Sequence, residues 1–415
     1  MQSNLKCKIM FKQTEIQEVI NSQKQKLDRQ SLGLERELLQ NLPNIDSHAL
    51  IISGVRRCGK STILTQLLKQ KTQPTLYLNF DDPRLFGFEL KDFQLLDLII
   101  ENKKNELLFF DEIQVVDGWE LYIRQKLDEG LQVFVTGSNA TMLSRELGTK
   151  LTGRQISKEL FPFSYREFLK FKKMEPGVKS FQKYTDIGGF PQYVKTENTD
   201  IITELFTDIL NRDIIVRHGI RDATALKRLA VYLVSNGGSL VTAGKLQQPL
   251  KLKTPATILE YFSHLEDTYL LSFMPKFSYS LKAQLINPRK IYVIDSGLQK
   301  VISNSFTENK GHILENIVFN ELRRKTKELF YFNENGMECD FVVMKNEKLQ
   351  QVIQVCYEMD AENSEREMNG LNDAMDYFKT DKGVILTYNQ TDAYIHNGHK
   401  IEILPVWQWL DRMTE

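Results

Sequence analysis

Cysteine is scarce in this chain of 415 residues: Cys7, Cys58, Cys339 and Cys356 stand apart, without the close paired spacing that a metal cage or a redox motif requires. That excludes a small disulfide-stapled scaffold, and a reducing, cytoplasmic setting is expected. Long apolar runs are also missing. No stretch approaches the roughly 20 residues needed to cross a bilayer, and no cationic start precedes a long apolar core, so no membrane partner is expected. Neither sign of charge dominates, with 54 Lys and Arg against 54 Asp and Glu. The whole molecule is therefore no general polyanion binder, and any such role falls to a local face. Internal repeats and low-complexity tracts are absent.

What the chain does have is length for two or three domains with ample cores and one unusual turn. The first 45 residues are polar and charged, and residues 16–42 read as one or two amphipathic helices leading into a strand. That strand, "HALIIS", runs into "SGVRRCGKST". From Gly54 through Gly59, Lys60 and Ser61 the spacing is G-x-x-x-x-G-K-[ST], the phosphate-binding loop. At average residue usage the pattern arises by chance in only about one or two chains per hundred of this length. Its context narrows that further, because Ile63, Leu64, Leu67 and Leu68 follow at helical spacing.

The residue types suit a triphosphate. Gly54 and Gly59 permit dihedrals that a side chain forbids, so successive amides converge on anionic oxygens. The helix that follows offers its positive end. Lys60 neutralises the outer phosphates, and the Ser61 hydroxyl is placed for magnesium. About fifty residues on, "ELLFFDEIQ" is an apolar strand ending in Asp111 and Glu112: the aspartate suits the metal, and the glutamate suits a general base for water. "LQVFVTGSN" is a further strand with a polar tip at Ser138 and Asn139, where an amide meets the γ-phosphate or the water. With "TLYLNF" and "RQISKELF" the expectation is an α/β fold with a five-stranded parallel sheet, its chemistry at the carboxyl ends of the strands.

The stretches "GVRRCGKST", "LLFFDEIQ", "VFVTGSNATML", "LTGRQISKELFPFSYREF" and "GGFPQYV" resemble prokaryotic ATPases of the AAA superfamily that carry a C-terminal domain of uncharacterised function, along most of the chain from about residue 45. The resemblance implies a Walker A loop made of Gly54, Val55, Arg56, Arg57, Cys58, Gly59, Lys60, Ser61 and Thr62. It implies Walker B at Asp111 and Glu112, a sensor at Asn139, and an arginine for the γ-phosphate at Arg154, which reads equally as a surface ion-pair partner. An arginine acting from a neighbouring subunit would make the protein a homo-oligomer. ATP and magnesium are the implied cofactors, with Glu112, Lys60, Asn139 and Arg154 as catalytic residues and Ser61 and Asp111 as metal ligands.

Five segments are expected: an N-terminal helical segment (1–45), the P-loop ATPase core (46–170), a helical lid or linker (171–220), a winged helix (221–300), and a restriction-endonuclease-like α/β domain (301–415). "GGFPQYV" is a glycine and proline break able to hinge a lid. Arg212, Arg217 and Arg221 follow, more ordinarily as a solvated helix face. Residues 221–290 hold ten Lys or Arg against four Asp or Glu, a local net of +6 that suits the phosphates of double-stranded DNA, or else a protein-docking module.

In the last hundred residues Glu315, Asp340 and the run "VIQVC" follow the order of an endonuclease-like core, but Gln354 and Cys356 stand where an acid and a lysine belong. An amide is a poor magnesium ligand. Lys345 or Lys348 would have to supply the missing charge, and a degenerate core is the expectation. The functional reading is thus a magnesium-dependent ATPase whose nucleotide state controls its later domains. The alternatives are an ATP-regulated nuclease and a slow nucleotide-switched scaffold.

Overall fold

"ALIIS" becomes a strand because all five residues, Ala49–Ser53 (β1), are buried, as a strand covered on both faces requires. It belongs to a parallel sheet with Thr75–Asn79 (β2), Leu107–Asp111 (β3), Gln132–Gly137 (β4) and Gln155–Glu159 (β5), in the order β2-β3-β4-β1-β5. In this computed structural model the described residues are 11–43, 46–140, 145–252, 254–303, 309–334, 336–396 and 398–413. The five strands expected from the sequence are the five that form. Register aligns their carboxyl ends: Ser53 lies opposite Gly137, and Asn79 opposite Asp111.

Parallel strands need crossovers, and the helices Lys60–Lys69, Phe93–Lys103 and Trp119–Asp128 supply them. Their apolar stripes (Ile63 and Leu64, Leu96 and Ile99, Tyr122 and Ile123) are buried. The helix Gln13–Arg29 joins the same core through Ile16, Val19 and Ile20. Its Gln23 bridges the end of β2, accepting from the Asn79 amide at 2.8 Å and donating to the Asn79 carbonyl at 3.1 Å. Contacts divide the chain into two units: one runs up to Gly54 and resumes over Gly59–Leu160, the other joins Val55–Cys58 to the chain from Phe161 onward.

The second unit opens with the helices Tyr165–Lys172, Val178–Ile187, Pro191–Thr196 and Asp200–Asp208, the last continuing into a π-helical stretch, Ile209–Val216. The glycines of "GGFPQYV" are a packed junction, and the reason is close approach rather than hinge freedom. A Cβ on Gly189 would lie 2.3 Å from the Phe163 carbonyl oxygen, and the Gly189 carbonyl accepts the Phe163 amide at 2.7 Å. Asp295 fastens the same turn by accepting the Gly189 amide at 2.6 Å while it caps the helix Ser296–Ile302.

Next come the helix Ala223–Ser235, Leu240–Val241 (β6), the helices Ala243–Gln247 and Pro255–Asp267, Leu271–Met274 (β7), the short helix Leu281–Ile286 and Arg289–Val293 (β8), with an antiparallel sheet in the order β6-β8-β7. The stripes Leu226, Leu229, Ala230 and Leu233, and Ile258, Tyr261, Phe262 and Leu265, are buried as their spacing predicts.

The helix Lys310–Lys325 then leads into Leu329–Glu334 (β9), Met337–Lys345 (β10), Lys348–Val355 (β11), Lys382–Thr387 (β12), Asp392–His396 (β13) and His399–Pro405 (β14). They form one mixed sheet, β13-β14-β12-β11-β10-β9. The first three strands are an antiparallel meander, β11, β12 and β14 run parallel, and the helix Ser364–Phe378 makes the crossover from β11 to β12.

Candidate functional site

The loop after β1 owes its shape to two backbone angles. Gly54 has φ 153° and Gly59 φ 109°, and the second is closed to ordinary side chains. The Ile63 amide donates to the Gly59 carbonyl at 3.0 Å, so the helix begins immediately behind the loop. Lys60, only 4 % exposed, donates from Nζ to the Gly54 carbonyl at 3.1 Å and lies 3.5 Å from Glu112 Oε1. The lysine and the acid expected to flank a triphosphate are thus brought together.

Asp111 ends β3 with its carboxylate fully buried. Tyr77 OH donates to Oδ2 at 2.9 Å, Asn79 Nδ2 donates at 3.3 Å, and the Thr136 hydroxyl donates to Oδ1. The Ser61 hydroxyl acts on this carboxylate as well, lowering its pKa, which sets the two expected metal ligands as neighbours. Burial and the neighbouring Glu112 push Asp111 above the usual carboxylate range, while hydrogen bonds from Thr136, Ser61 and Tyr77 pull it back. Tyr77, raised by burial and by Asp111, stays a neutral donor. A hydroxyl and a carboxylate in contact are hard oxygen donors and fit magnesium held jointly with phosphate oxygens.

Glu112 sits in the left-handed region, φ 54°, a position that costs a non-glycine residue free energy and fixes where its carboxylate points. The Glu112 amide donates to Thr136 Oγ1 at 3.1 Å, and Gln114 Nε2 donates to Oε2 at 2.5 Å. Thr136 therefore serves both acids, a role that "VFVTGSN" reveals only once β4 is known to lie beside β3. Asn139 follows β4 at the same carboxyl edge and is half-buried.

Arg154 is elsewhere. It immediately precedes β5, and its carbonyl accepts the Ala49 amide at 3.1 Å, so it lies at the amino edge of the sheet, one strand length of about 16 Å from the loop. Its guanidinium pairs with Asp128 at 2.7 Å. Within one chain the ion-pair reading of Arg154 is the one realised.

The middle of the loop, Val55–Cys58, packs within the second unit. Arg56 makes two parallel bonds to Asp213, each 2.9 Å, and Arg57 reaches Asp208 at 2.8 Å. Both acids sit at the π-helical stretch, a deformation found disproportionately at functional sites. Two adjacent arginines in a tight loop call for acidic partners, and that was the available signal for Asp208 and Asp213.

A second cluster lies between β8 and the C-terminal sheet. Lys290 on β8 is 3 % exposed, and its Nζ is 2.9 Å from Glu315 Oε1, 2.7 Å from Asp340 Oδ1 and 2.7 Å from Glu338 Oε1. Burial alone would lower its pKa, but Asp340, Glu315, Tyr292 and Glu338 outweigh it and hold Lys290 well above the ordinary lysine value. Gln354 accepts the Asp340 amide at 3.1 Å and donates to Glu367 at 2.6 Å. A cavity of about 450 Å³ opens over these groups. Lys345 and Lys348 do not enter it. They face each other at the end of the β10–β11 hairpin, and both are exposed. Burial pushes the Cys356 thiol up to about 11, so it carries no charge at neutral pH.

Three family models match successive parts of the chain. Residues 46–169 match the family described as AAA domain, 178–308 match the domain of unknown function DUF8612, and 310–409 match the domain of unknown function DUF4143. The uncharacterized protein MJ1544 of Methanocaldococcus jannaschii is 35 % identical over 390 residues, 86 % of this chain and 87 % of that one. An uncharacterized protein of Haemophilus influenzae is 32 % identical over 387 residues, 87 % and 93 % of the two chains. Among solved structures, the Walker-type ATPase PABY2304 of Pyrococcus abyssi is similar with a TM-score of 0.43 and 13 % identity, covering 64 % of this chain and 93 % of its own. The RuvB Holliday junction branch migration motor of Thermotoga maritima has a TM-score of 0.28 and 17 % identity, covering 61 % and 89 %. The fold assignment stands on the sheet order and the loop.

Proposed function

Because the chain belongs to the same family as MJ1544, and in it an AAA domain precedes two domains of unknown function, we propose that it binds ATP with magnesium and hydrolyses it to ADP and phosphate. The observation that carries the proposal is the meeting of Lys60, Ser61, Asp111 and Glu112 at the carboxyl edge of the parallel sheet. In this reading the loop amides from Gly54 to Thr62 and the Lys60 ammonium hold the phosphates, and Ser61 and Asp111 hold the metal. When bound, magnesium supplies positive charge against the transferring phosphoryl group.

Glu112 takes a proton from the attacking water, its carboxylate aimed by Gln114 and by the backbone bond to Thr136. Asn139 orients the water or the γ-phosphate from the next strand end. Arg154, bonded to Asp128 at the other edge, enters the reaction only from a neighbouring copy, which keeps a homo-oligomer within the proposal. Arg56 carries the nucleotide state onward: a bound phosphate and Asp213 compete for one guanidinium.

The element order of residues 223–293, helix, strand, two helices, and two strands separated by the short helix Leu281–Ile286, is the support for a winged helix that responds to that state. Of the ten basic residues of the 221–290 segment, Lys290 is committed to its three acids and Lys276 lies 3.5 Å from Glu334; the others supply the positive charge for a DNA backbone in this reading. Phosphate release by the full chain, with and without duplex DNA at two salt concentrations, tests both layers. Turnover stimulated by DNA and weakened by salt supports the DNA reading, turnover indifferent to DNA removes it, and no turnover removes the hydrolase.

A further inference from the structure

The acids Glu315 and Asp340 stand on a helix and a strand in the order of a metal-dependent core, so the first question is whether a divalent cation fits them. It does not. An ammonium group has three N–H donors, and Lys290 directs its nitrogen at three carboxylates, with Glu315, Glu338 and Asp340 all within 2.9 Å. A metal ion would need the same oxygens, at about 2.0–2.6 Å, and would stand against a fixed positive charge.

The neighbouring groups are committed in the same sense. Asp340 Oδ2 accepts the Val355 amide at 2.9 Å, and Glu315 Oε1 also accepts Tyr292 OH at 2.6 Å. Gln354, on the strand that would bring one more acid, is neutral and locked between the Asp340 amide and Glu367. The lysine comes from β8, ahead of residue 308, whereas every acid it binds lies beyond residue 310, so the cluster bridges the two domains of unknown function. Tyr292, two residues on, stacks on Phe319 at 3.9 Å, and the side chain of Asn316 bonds both the amide and the carbonyl of Val293. The strand is thus held along its length.

We infer that the Lys290 ammonium is the resident cation of this core, a tethered substitute for a divalent metal that joins β8 to the C-terminal sheet and leaves the cavity above it metal-independent. The acids persist as the lysine's counter-charge, and the core acts as a clamp rather than as a metal-dependent nuclease. Nothing in this depends on turnover at the nucleotide loop.

The test is a titration with Mn²⁺, followed by electron paramagnetic resonance, on the full chain without nucleotide. Asp111→Asn is present throughout, so the nucleotide site lacks the carboxylate assigned to its metal. With Lys290 in place no saturable site is expected. Lys290→Ala should gain one, and adding Glu338→Gln, at a half-buried position, should weaken it. A saturable site in the Lys290-containing chain that Glu338→Gln weakens overturns the inference, as does a folded Lys290→Ala chain that gains none. Should Lys290→Ala fail to fold, the Lys290-containing chain with and without Glu338→Gln decides: saturable binding sensitive to that change overturns the inference, and its absence agrees with it.

Discussion

Lys290 Nζ and Asp340 Oδ1 lie 2.7 Å apart, fifty residues distant in sequence and both nearly buried. Such a pair costs little while intact and a great deal when one member is removed, because the survivor is an uncompensated charge in a poor solvent. Lys290→Met is therefore expected to destabilise the second unit by about 3–5 kcal/mol. Adding Glu315→Gln and Asp340→Asn should recover much of the loss. Urea denaturation of the single and triple variants checks this, and a triple variant no more stable than the single one would contradict it.

Thr136 bonds the side chain of Asp111 and the backbone of Glu112. Thr136→Val preserves shape and removes both bonds, at an expected cost of about 1–3 kcal/mol together with a loss of turnover. Thr136→Ser should restore both. Thermal unfolding and phosphate release on the pair separate this from a mere packing effect, which serine would not rescue.

Arg154 and Asp128 form an exposed ion pair, so Arg154→Ala should change stability by less than about 1 kcal/mol. If the arginine serves a neighbouring copy, the variant loses turnover at concentrations where copies associate and not where they are dispersed. Activity measured across a dilution series decides, and equal loss at every concentration would place the arginine's effect within its own chain.

Much of the first unit was legible because its signals are local. A parallel strand buried on both faces reads as an apolar run, a phosphate loop needs glycine at two fixed places, and an acid pair after "LLFF" marks a strand end. Position across the sheet was not legible: "LTGR" looks adjacent to the chemistry, and only the register of β5 with Ala49 sends Arg154 to the far edge. Lys290 was hidden differently. It falls within a basic stretch suited to phosphate, and no periodicity announces a lysine whose partners are 25, 48 and 50 residues away. Asp213 was masked by the three arginines around it.

Asp295 is buried beneath the Gly188–Gly189 turn, and burial pushes its carboxyl up to about 6 despite hydrogen bonds from the amides of Gly189, Leu298 and Gly297. The folded state then binds more protons than the unfolded one between about pH 4 and 6, so this group's contribution makes stability fall as pH rises through that window, by roughly 2–3 kcal/mol. Asp295→Asn should flatten the slope there. Denaturation midpoints at several pH values check it, and an unchanged slope would contradict the assignment.

The central claim is that the acid beside Lys60 activates water for attack on a bound triphosphate. Single-turnover phosphate release should fall by about 10²–10⁴ in Glu112→Gln while ATP remains bound, and Lys60→Ala should lose the nucleotide itself. Wild-type release in Glu112→Gln, with ATP equally bound in both, would contradict the account.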